Sequence, residues 1–469
     1  MKIEDNLYSL LGLYKKSPDS LRRLVGMLYN QIPMKYRFGK HYQFFVDLLN
    51  DSKKMSSHEL NSFQLKQLTK QIEICKNSVP FYKDILIDVE LPITSIEHFK
   101  DQIPFTTKDQ IRRNHKYFLN DTLDKGDIIV RSTGGTMGEP LKFYIQKGIN
   151  RTKEITHLND LWSRIGFNHN DLRMVFRAGT IHNAKVDNRY WYDPIKNRLF
   201  ASSFHLSPDD VELYVSLLNK YKPKFIHVYP STLVIICNVI INYGFKINHH
   251  PIGILCGSEN IYPGQIATVR KVFNSKIYRW YGLGEEASLA GACEHTLDYH
   301  PEPTYSFTEL VYEDGKDVSK IGEKGEIVGT PFFNYAMPIL RYRTEDYAYY
   351  GGKVCSKCGR PGPIFTEIDG RKQEQIIDSN GNKYSLGPFI FGIHDEFWSN
   401  FTAIQFVQKK KGEVIVTTQS KNLSNDEQVQ YLKRQFEPRF NEYIAVSYNP
   451  NGNIIKSELG KHKYLISKI

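Results

Sequence analysis

Between residues 225 and 280 short apolar runs alternate with helical stretches, and nothing else in the sequence restricts the fold as strongly. Phe225-Ile-His-Val-Tyr229, Ile252-Gly-Ile-Leu-Cys256 and Lys276-Ile-Tyr-Arg-Trp280 read as short strands, and residues 231–244 and 262–273 between them read as helices. This alternation predicts an α/β layer of buried strands. Residues 150–165 and 208–222 extend the pattern as helices, while Asp127-Ile-Ile-Val130 and Leu141-Lys-Phe-Tyr-Ile145 read as strands around a glycine-rich turn. Upstream, Leu60, Phe63, Leu65, Leu68, Ile72 and Ile74 recur near helical spacing, and Pro80-Phe81-Tyr82 ends the pattern. A second texture begins near Gly370. Ala403-Ile-Gln-Phe-Val407 and Glu413-Val-Ile-Val-Thr417 predict a hairpin, followed by a helix over 426–437 and a strand at Tyr443-Ile-Ala-Val-Ser447. The expected division is a helical region 1–90, a main domain 91–369 and a small α+β domain 370–469.

Composition excludes several classes. Hydrophobic residues make up 41% and charged residues 24%, a globular balance that argues against disorder. The most apolar run, Leu233 to Ile241, is far shorter than the roughly 20 residues of a membrane span. Acidic residues at Glu4 and Asp5 argue against a signal peptide, and six cysteines in 469 residues make no disulfide framework. A cytoplasmic protein is expected. The net charge of +11 suits acidic partners such as nucleotides or coenzyme A. It is dispersed, and no nucleic-acid-binding motif accompanies it, so no nucleic-acid partner is expected.

The segment Ser132-Thr133-Gly134-Gly135-Thr136-Met137-Gly138-Glu139-Pro140 carries the strongest chemical signal. Three glycines let backbone amides converge on one point and the hydroxyls add donors, the concave donor set that a polyphosphate needs. It is not a P-loop, because no Gly-Lys-Ser/Thr follows and its flanks are strands. Taken alone it also reads as a hairpin turn. Four further segments follow in order: Tyr281-Gly282-Leu283-Gly284-Glu285, Tyr342-Arg343-Thr344-Glu345-Asp346, Gly370-Arg371 and Gly460-Lys461.

The order and spacing of these five segments resemble the adenylate-forming superfamily of acyl-CoA synthetases, luciferases and peptide-synthetase adenylation domains. Within it the chain looks like the phenylacetate–CoA ligase-like branch and its capsular-polysaccharide, CapK-type group. Val79-Pro-Phe-Tyr82, Ser203-Phe-His-Leu-Ser207 and Tyr229-Pro-Ser231 also look like that group, and the likeness covers about residues 55–469. The resemblance implies an α/β fold: a large N-terminal domain of mixed sheets and flanking helices, a small C-terminal lid, and ATP between them. It implies that Ser132, Thr133, Gly134, Gly135, Thr136 and Gly138 wrap the phosphates and that Gly257, Ser258 and Glu259 lie near adenine. Tyr281 and Gly282 would flank the base, Glu285 would bind Mg²⁺, and Asp346 and Arg371 would hold the ribose or a phosphate. Lys461 would bring positive charge to the α-phosphate as the carboxylate attacks. Two positions depart from the pattern: Gln373 at the hinge, where Asp or Lys is commoner, and Glu345, where glycine is usual. An extra carboxylate at 345 would repel phosphate or reposition Arg343. The implied activity is activation of a carboxylic acid as an acyl-adenylate, then transfer to coenzyme A or to an amine or hydroxyl acceptor. The alternative is a nucleotide-binding accessory protein of a polysaccharide assembly system that lacks turnover.

Cys355-Ser-Lys-Cys358-Gly359 forms a CxxCG knuckle, whose turn points both sulfurs one way as tetrahedral zinc requires. Cys293 and His300 are the natural partners, with His295 a rival for the fourth position. A closed four-ligand site would be structural, and the alternative is a set of free thiols. Cys75, Cys237 and Cys256 lie in apolar surroundings and read as core. Arg177 and His205 fall where the superfamily builds its acyl wall. Arg177 is the candidate for an acidic substrate; His205 is a candidate contact for a carboxylate, although such a histidine is more often structural.

Overall fold

The three apolar runs at 225–229, 252–256 and 276–280 lie side by side. In the computed structural model Ile226 pairs with Ile254, and Ile254 with Ile277, as parallel strand neighbours. The structure describes residues 17–132, 141–177, 189–203, 206–261, 263–371, 375–381, 383–385, 400–420, 422–437, 443–456 and 463–469.

Twenty strands run along the described chain. They begin with β1 (Ile128–Ser132), β2 (Lys142–Gln146), β3 (Arg173–Phe176), β4 (Tyr190–Asp193) and β5 (Arg198–Ala201). The expected α/β run supplies β6 (Phe225–Val228), β7 (Gly253–Gly257) and β8 (Lys276–Gly282), and then come β9 (Leu289–Ala292), β10 (Tyr299–Pro301), β11 (Ser306–Val311) and β12 (Lys324–Pro331). Next are β13 (Tyr342–Val354), β14 (Pro361–Arg371), β15 (Gln375–Ile377) and β16 (Lys383–Ser385), and the last four are β17 (Phe401–Lys410), β18 (Glu413–Ser420), β19 (Ala445–Pro450) and β20 (Leu465–Ser467).

Twelve of them form one sheet, in the order β11-β12-β13-β14-β10-β9-β8-β7-β6-β3-β5-β4. Its centre, β5-β3-β6-β7-β8, is parallel, because helices cross between the strands. Helix Pro208–Tyr221 starts at a capping box between Ser207 and Asp210. Helix Pro230–Tyr243 stops at Gly244, whose φ of 68° suits glycine. These two and helix Pro263–Val272 bury Val211, Leu233, Ile240 and Val269 against Met174, Ile226 and Ile254 on one face. On the other face, helix Asn150–Ser163 packs Leu161 and Trp162 onto Phe225, Leu255, Tyr278 and Trp280. The sheet is therefore covered on both sides, which is why its central strands read as continuous apolar runs.

β1 and β2 pair antiparallel as a separate ribbon, as expected of the strands around the glycine-rich segment. The N-terminal helices pack on this ribbon and on residues 332–342: Phe45, Leu68, Ile72 and Tyr82 share one core with Phe143, Ile145, Met337 and Leu340. The periodic pattern ends before Pro80, as expected. The long helix runs Ser57–Ser78, and Pro80 is the first residue of a further short helix, where its missing amide costs nothing. Beyond β14, the described residues form a second sheet, β19-β18-β17-β20, covered by helix Asn425–Phe436. Phe406, Val416, Leu432 and Phe436 make a core of their own there. The last expected strand lies slightly later than read, at Ala445–Pro450.

Candidate active site

Three of the sequence motifs meet where strands of the large sheet begin or end. Tyr281 and Gly282 close β8, Glu285 lies in the turn after it, and Tyr342 to Asp346 open β13. Asp346 sits opposite Arg371 in the β13–β14 register. The Tyr281 hydroxyl donates to the Asp346 carboxylate at 2.8 Å, and the Tyr342 hydroxyl donates to Glu285 at 3.2 Å. Both carboxylates are almost fully buried. Burial, and next the neighbouring Glu285, raise the Tyr342 phenol well above its ordinary range, so it remains a donor. Tyr342 belongs to a motif read from the sequence, yet its role as the brace of Glu285 has no sequence signal.

Glu345 occupies the left-handed region, with φ of 64°. That backbone favours glycine, which gives a physical reason for glycine being usual at this position. Glu345 pairs with Lys108 at 2.9 Å, and Lys108 also donates to the Thr344 carbonyl. Arg343 pairs with Glu326 at 2.8 Å, so the extra carboxylate engages a lysine on helix Lys108–Arg113 rather than Arg343.

A second group lies at the C-terminal ends of the parallel strands, where open α/β sheets build their binding crevices. Gly257 ends β7, and a Cβ there would stand 2.3 Å from Cζ2 of Trp280, so only glycine fits. Ser258 follows with φ of 67°. Arg177, just past β3, donates to Ser258 Oγ at 2.5 Å and to His227 Nε2 at 2.8 Å, and its guanidinium lies over the Tyr229 ring. Burial, then Arg177, push the His227 imidazole well below its usual pKa, so it is the neutral acceptor that this geometry needs. Sequence reading missed His227, which sits in an apolar strand like any core residue. It also missed the buried pair of Lys153 and Glu286, 2.6 Å apart and joined by Asn150.

Ser132 ends β1, but its side chain, like that of Arg371, lies outside the described residues, as do Thr133, Gly134, Gly135, Thr136, Gly138, His182, His205, Gln373 and Lys461. Of the expected nucleotide and acyl residues, the structure brings together Tyr281, Glu285 and Asp346 in one group and Arg177 and Ser258 in another.

The cysteine knuckle lies in the turn between β13 and β14. Cys293, His300, Cys355 and Cys358 offer four ligand atoms within 4.8 Å of one another. His300 takes part; His295 instead gives its backbone amide to Cys293 Sγ. Burial, then Arg164 and Arg360, lower His300 to about 4, leaving a neutral imidazole. Burial raises Cys358 to about 11. Against burial, the amides of Cys358 and Lys357 hold Cys355 below its ordinary value. A bidentate Arg360–Glu294 pair covers the cluster. Three thiols, one neutral imidazole and close approach fit a tetrahedral soft-metal site. Cys75, Cys237 and Cys256 are buried core residues, as expected.

No protein-family model matches the chain. It is similar to Protein CapK of Staphylococcus aureus, at 24% identity over 97% of this chain and 99% of the relative. It is similar to the phenylacetate-coenzyme A ligase of Pseudomonas putida, at 23% identity over 70% of this chain and 74% of the relative. Among solved structures, 2-hydroxyisobutyryl-CoA ligase in a postadenylation state superposes with a TM-score of 0.67 at 15% identity, covering 88% of this chain and 90% of the other. The same ligase in a thioesterification state gives 0.56 at 16% identity, with the same coverage. The chain has the fold of the adenylate-forming CoA ligases, and its relatives carry the CapK and phenylacetate–CoA ligase names to which its motifs point. No described helix is long and apolar enough to cross a membrane.

Proposed function

We propose that this protein is an ATP-dependent, AMP-forming acid ligase: it activates a carboxylic acid as an acyl-adenylate, releases pyrophosphate and transfers the acyl group to coenzyme A or to an amine or hydroxyl. We assign that transfer to capsular or surface polysaccharide biosynthesis, a reading supported by the likeness to Protein CapK. The observation that carries the reading is the meeting of Tyr281, Asp346, Glu285 and Tyr342, far apart in sequence, in one buried polar group. A carboxylate such as Asp346 suits the paired hydroxyls of a ribose, and the tyrosine ring beside it suits a flat base. Glu285 offers a hard oxygen to Mg²⁺, which would neutralise phosphate charge. Arg371 would pair with ribose or phosphate, Gly257 to Glu259 would border the base, and residues 132–138 would hold the phosphates. Lys461 would stabilise charge at the α-phosphate from a lid formed by residues 370–469, closing over a main domain of residues 91–369 that carries the helical region 1–90. We further propose one structural Zn²⁺ on Cys293, His300, Cys355 and Cys358. The experiment is acid-dependent exchange of labelled pyrophosphate into ATP with Mg²⁺ across a broad acid panel. Exchange above background with at least one acid is expected. Background exchange throughout would favour a non-catalytic nucleotide-binding protein.

A further inference from the structure

A cavity of about 350 Å³ opens beside helix Asn150–Ser163, between that helix, strands β3 and β5 and the N-terminal helices. Among the described residues six cations line it: Arg37, Arg131, Arg151, Arg173, Lys196 and Arg198. The only carboxylate of its lining among them is Glu154. Glu154 is open to solvent within the cleft, and its crowding by protein, then the charge of Glu286, raise its pKa and weaken it as a counter-charge.

Arg173 is the decisive residue. It is 4% exposed, and neither Nε nor Nη1 has a hydrogen-bond partner. Its guanidinium lies over the rings of Trp162 and Phe167, which hold it in place without neutralising it. The Trp162 indole nitrogen, on the same cavity, is also buried without an acceptor. Burial and the neighbouring Arg198 both disfavour the charge on Arg173. A guanidinium does not lose its proton to escape such a site, so it remains a buried, uncompensated cation. Other cations have local acceptors: Arg37, for example, donates to the Ile32 carbonyl and to Asn30. A buried arginine with free donors among further cations is built to receive an anion.

The cavity is joined to the nucleotide-side group. His227 lines it and accepts from Arg177, which also holds Ser258. We propose that this cavity is the acyl subsite and that it takes an acid bearing a second anionic group, a carboxylate or a phosphate, seated on Arg173. This rests on the acid-ligase reading above. The reacting carboxylate then lies toward Arg177 and the second anion lies at the far end, against β3 and β5.

Matched acid pairs test it: butanoate against succinate, and glycerate against 3-phosphoglycerate. Binding is measured by calorimetry on the full-length protein without nucleotide, and pyrophosphate exchange is measured with the same acids. The doubly charged member of at least one pair should bind 10-fold or more tightly, and which pair responds separates carboxylate from phosphate. Arg173→Met should remove that preference, and Arg173→Lys should retain part of it. Arg173→Met should also melt higher than the parent without ligand, since it removes a buried bare charge. If that variant does not fold, Arg151→Ala on the cavity wall should reduce the preference in the same direction. Equal binding within both pairs, or a preference unchanged by these substitutions, would overturn the proposal. Exchange that runs equally with the singly charged acids would overturn it while leaving the ligase reading intact. Arg173-dependent binding of a dianion with no exchange from any acid would uphold the anion site and count against the ligase reading.

Discussion

Replacing Glu345 by glycine sets a backbone gain against the loss of an ion pair. The residue stands at φ of 64°, where an L side chain costs about 1–2 kcal/mol. Glycine removes that cost but gives back about 0.4–1 kcal/mol through the greater freedom of the unfolded chain. The backbone change alone is therefore worth roughly 0–1.5 kcal/mol in favour of glycine. Against it stands Lys108, 2.9 Å from the carboxylate, with side chains 10% and 29% exposed. Stranding one partner of a fully buried pair costs about 3–5 kcal/mol. Here the glutamate keeps some solvent and Lys108 keeps the Thr344 carbonyl, so the loss is nearer about 2 kcal/mol. Glu345→Gly should thus destabilise the parent by about 1 kcal/mol. In a Lys108→Met background the pair is already gone, and the same substitution should be neutral or stabilising by about 1 kcal/mol. Urea unfolding followed by circular dichroism, compared at equal m-values, reads both changes. Destabilisation of the same size in both backgrounds would refute the account, because the lysine would then have no part in holding glutamate at a glycine position.

About one zinc per chain should co-purify with untagged protein, and Cys358→Ser should lower both metal content and melting temperature; metal analysis showing no zinc in fresh protein would remove the site. Lys461→Ala should bind ATP nearly normally and lose about 10²–10³ in adenylate formation, while still using a chemically supplied acyl-adenylate in the transfer step. Equal loss in both half-reactions would give Lys461 a structural role in place of a catalytic one. Gly257→Ala places a methyl 2.3 Å from the Trp280 ring and should cost about 1–3 kcal/mol, with a shift in tryptophan fluorescence; unchanged stability would mean Trp280 yields freely. His157 is buried, donates from Nδ1 to the Lys153 carbonyl and accepts at Nε2 from Thr304, and burial pushes it down to about 3. Below its unfolded pKa of about 6.5 the unfolded chain takes up a proton that the native state refuses, so stability should fall as pH drops, by up to about 1.4 kcal/mol per unit. His157→Gln should flatten that slope, and an unchanged slope would assign it to other groups.

The parallel centre of the sheet was legible because buried strands are short, apolar and separated by helices of ordinary length, as at Phe225–Val228 and Gly253–Gly257. The cysteine cluster was legible because CxxC spacing fixes two ligands in one turn, but only the antiparallel pairing of β9 with β10 chose His300 over His295. The partners of the site residues were not legible. Lys108 reaches Glu345 across 237 positions, and Tyr281 reaches Asp346 across 65. No local pattern encodes such distances. Nothing local in the sequence marks Arg173, the first residue of β3; its isolation follows from the helix and N-terminal segments that close over it.

The β13–β14 hairpin joins two things that the sequence keeps apart. Its turn sets Cys355 and Cys358 against Cys293 and His300 of the β9–β10 segment, while its open ends carry Asp346 and Arg371. The nine residues from Asp346 to Val354 span roughly 26 Å of strand. Mechanically this is a cantilever: with the proposed zinc bound it is clamped at the thiols, and the residues proposed to hold nucleotide stand at its far end. Peroxide or an alkylating agent that attacks the clamp would slacken the beam and shift the far carboxylate without entering the catalytic cleft. Oxidant sensitivity would then be a trait of a protein whose proposed reaction moves no electrons.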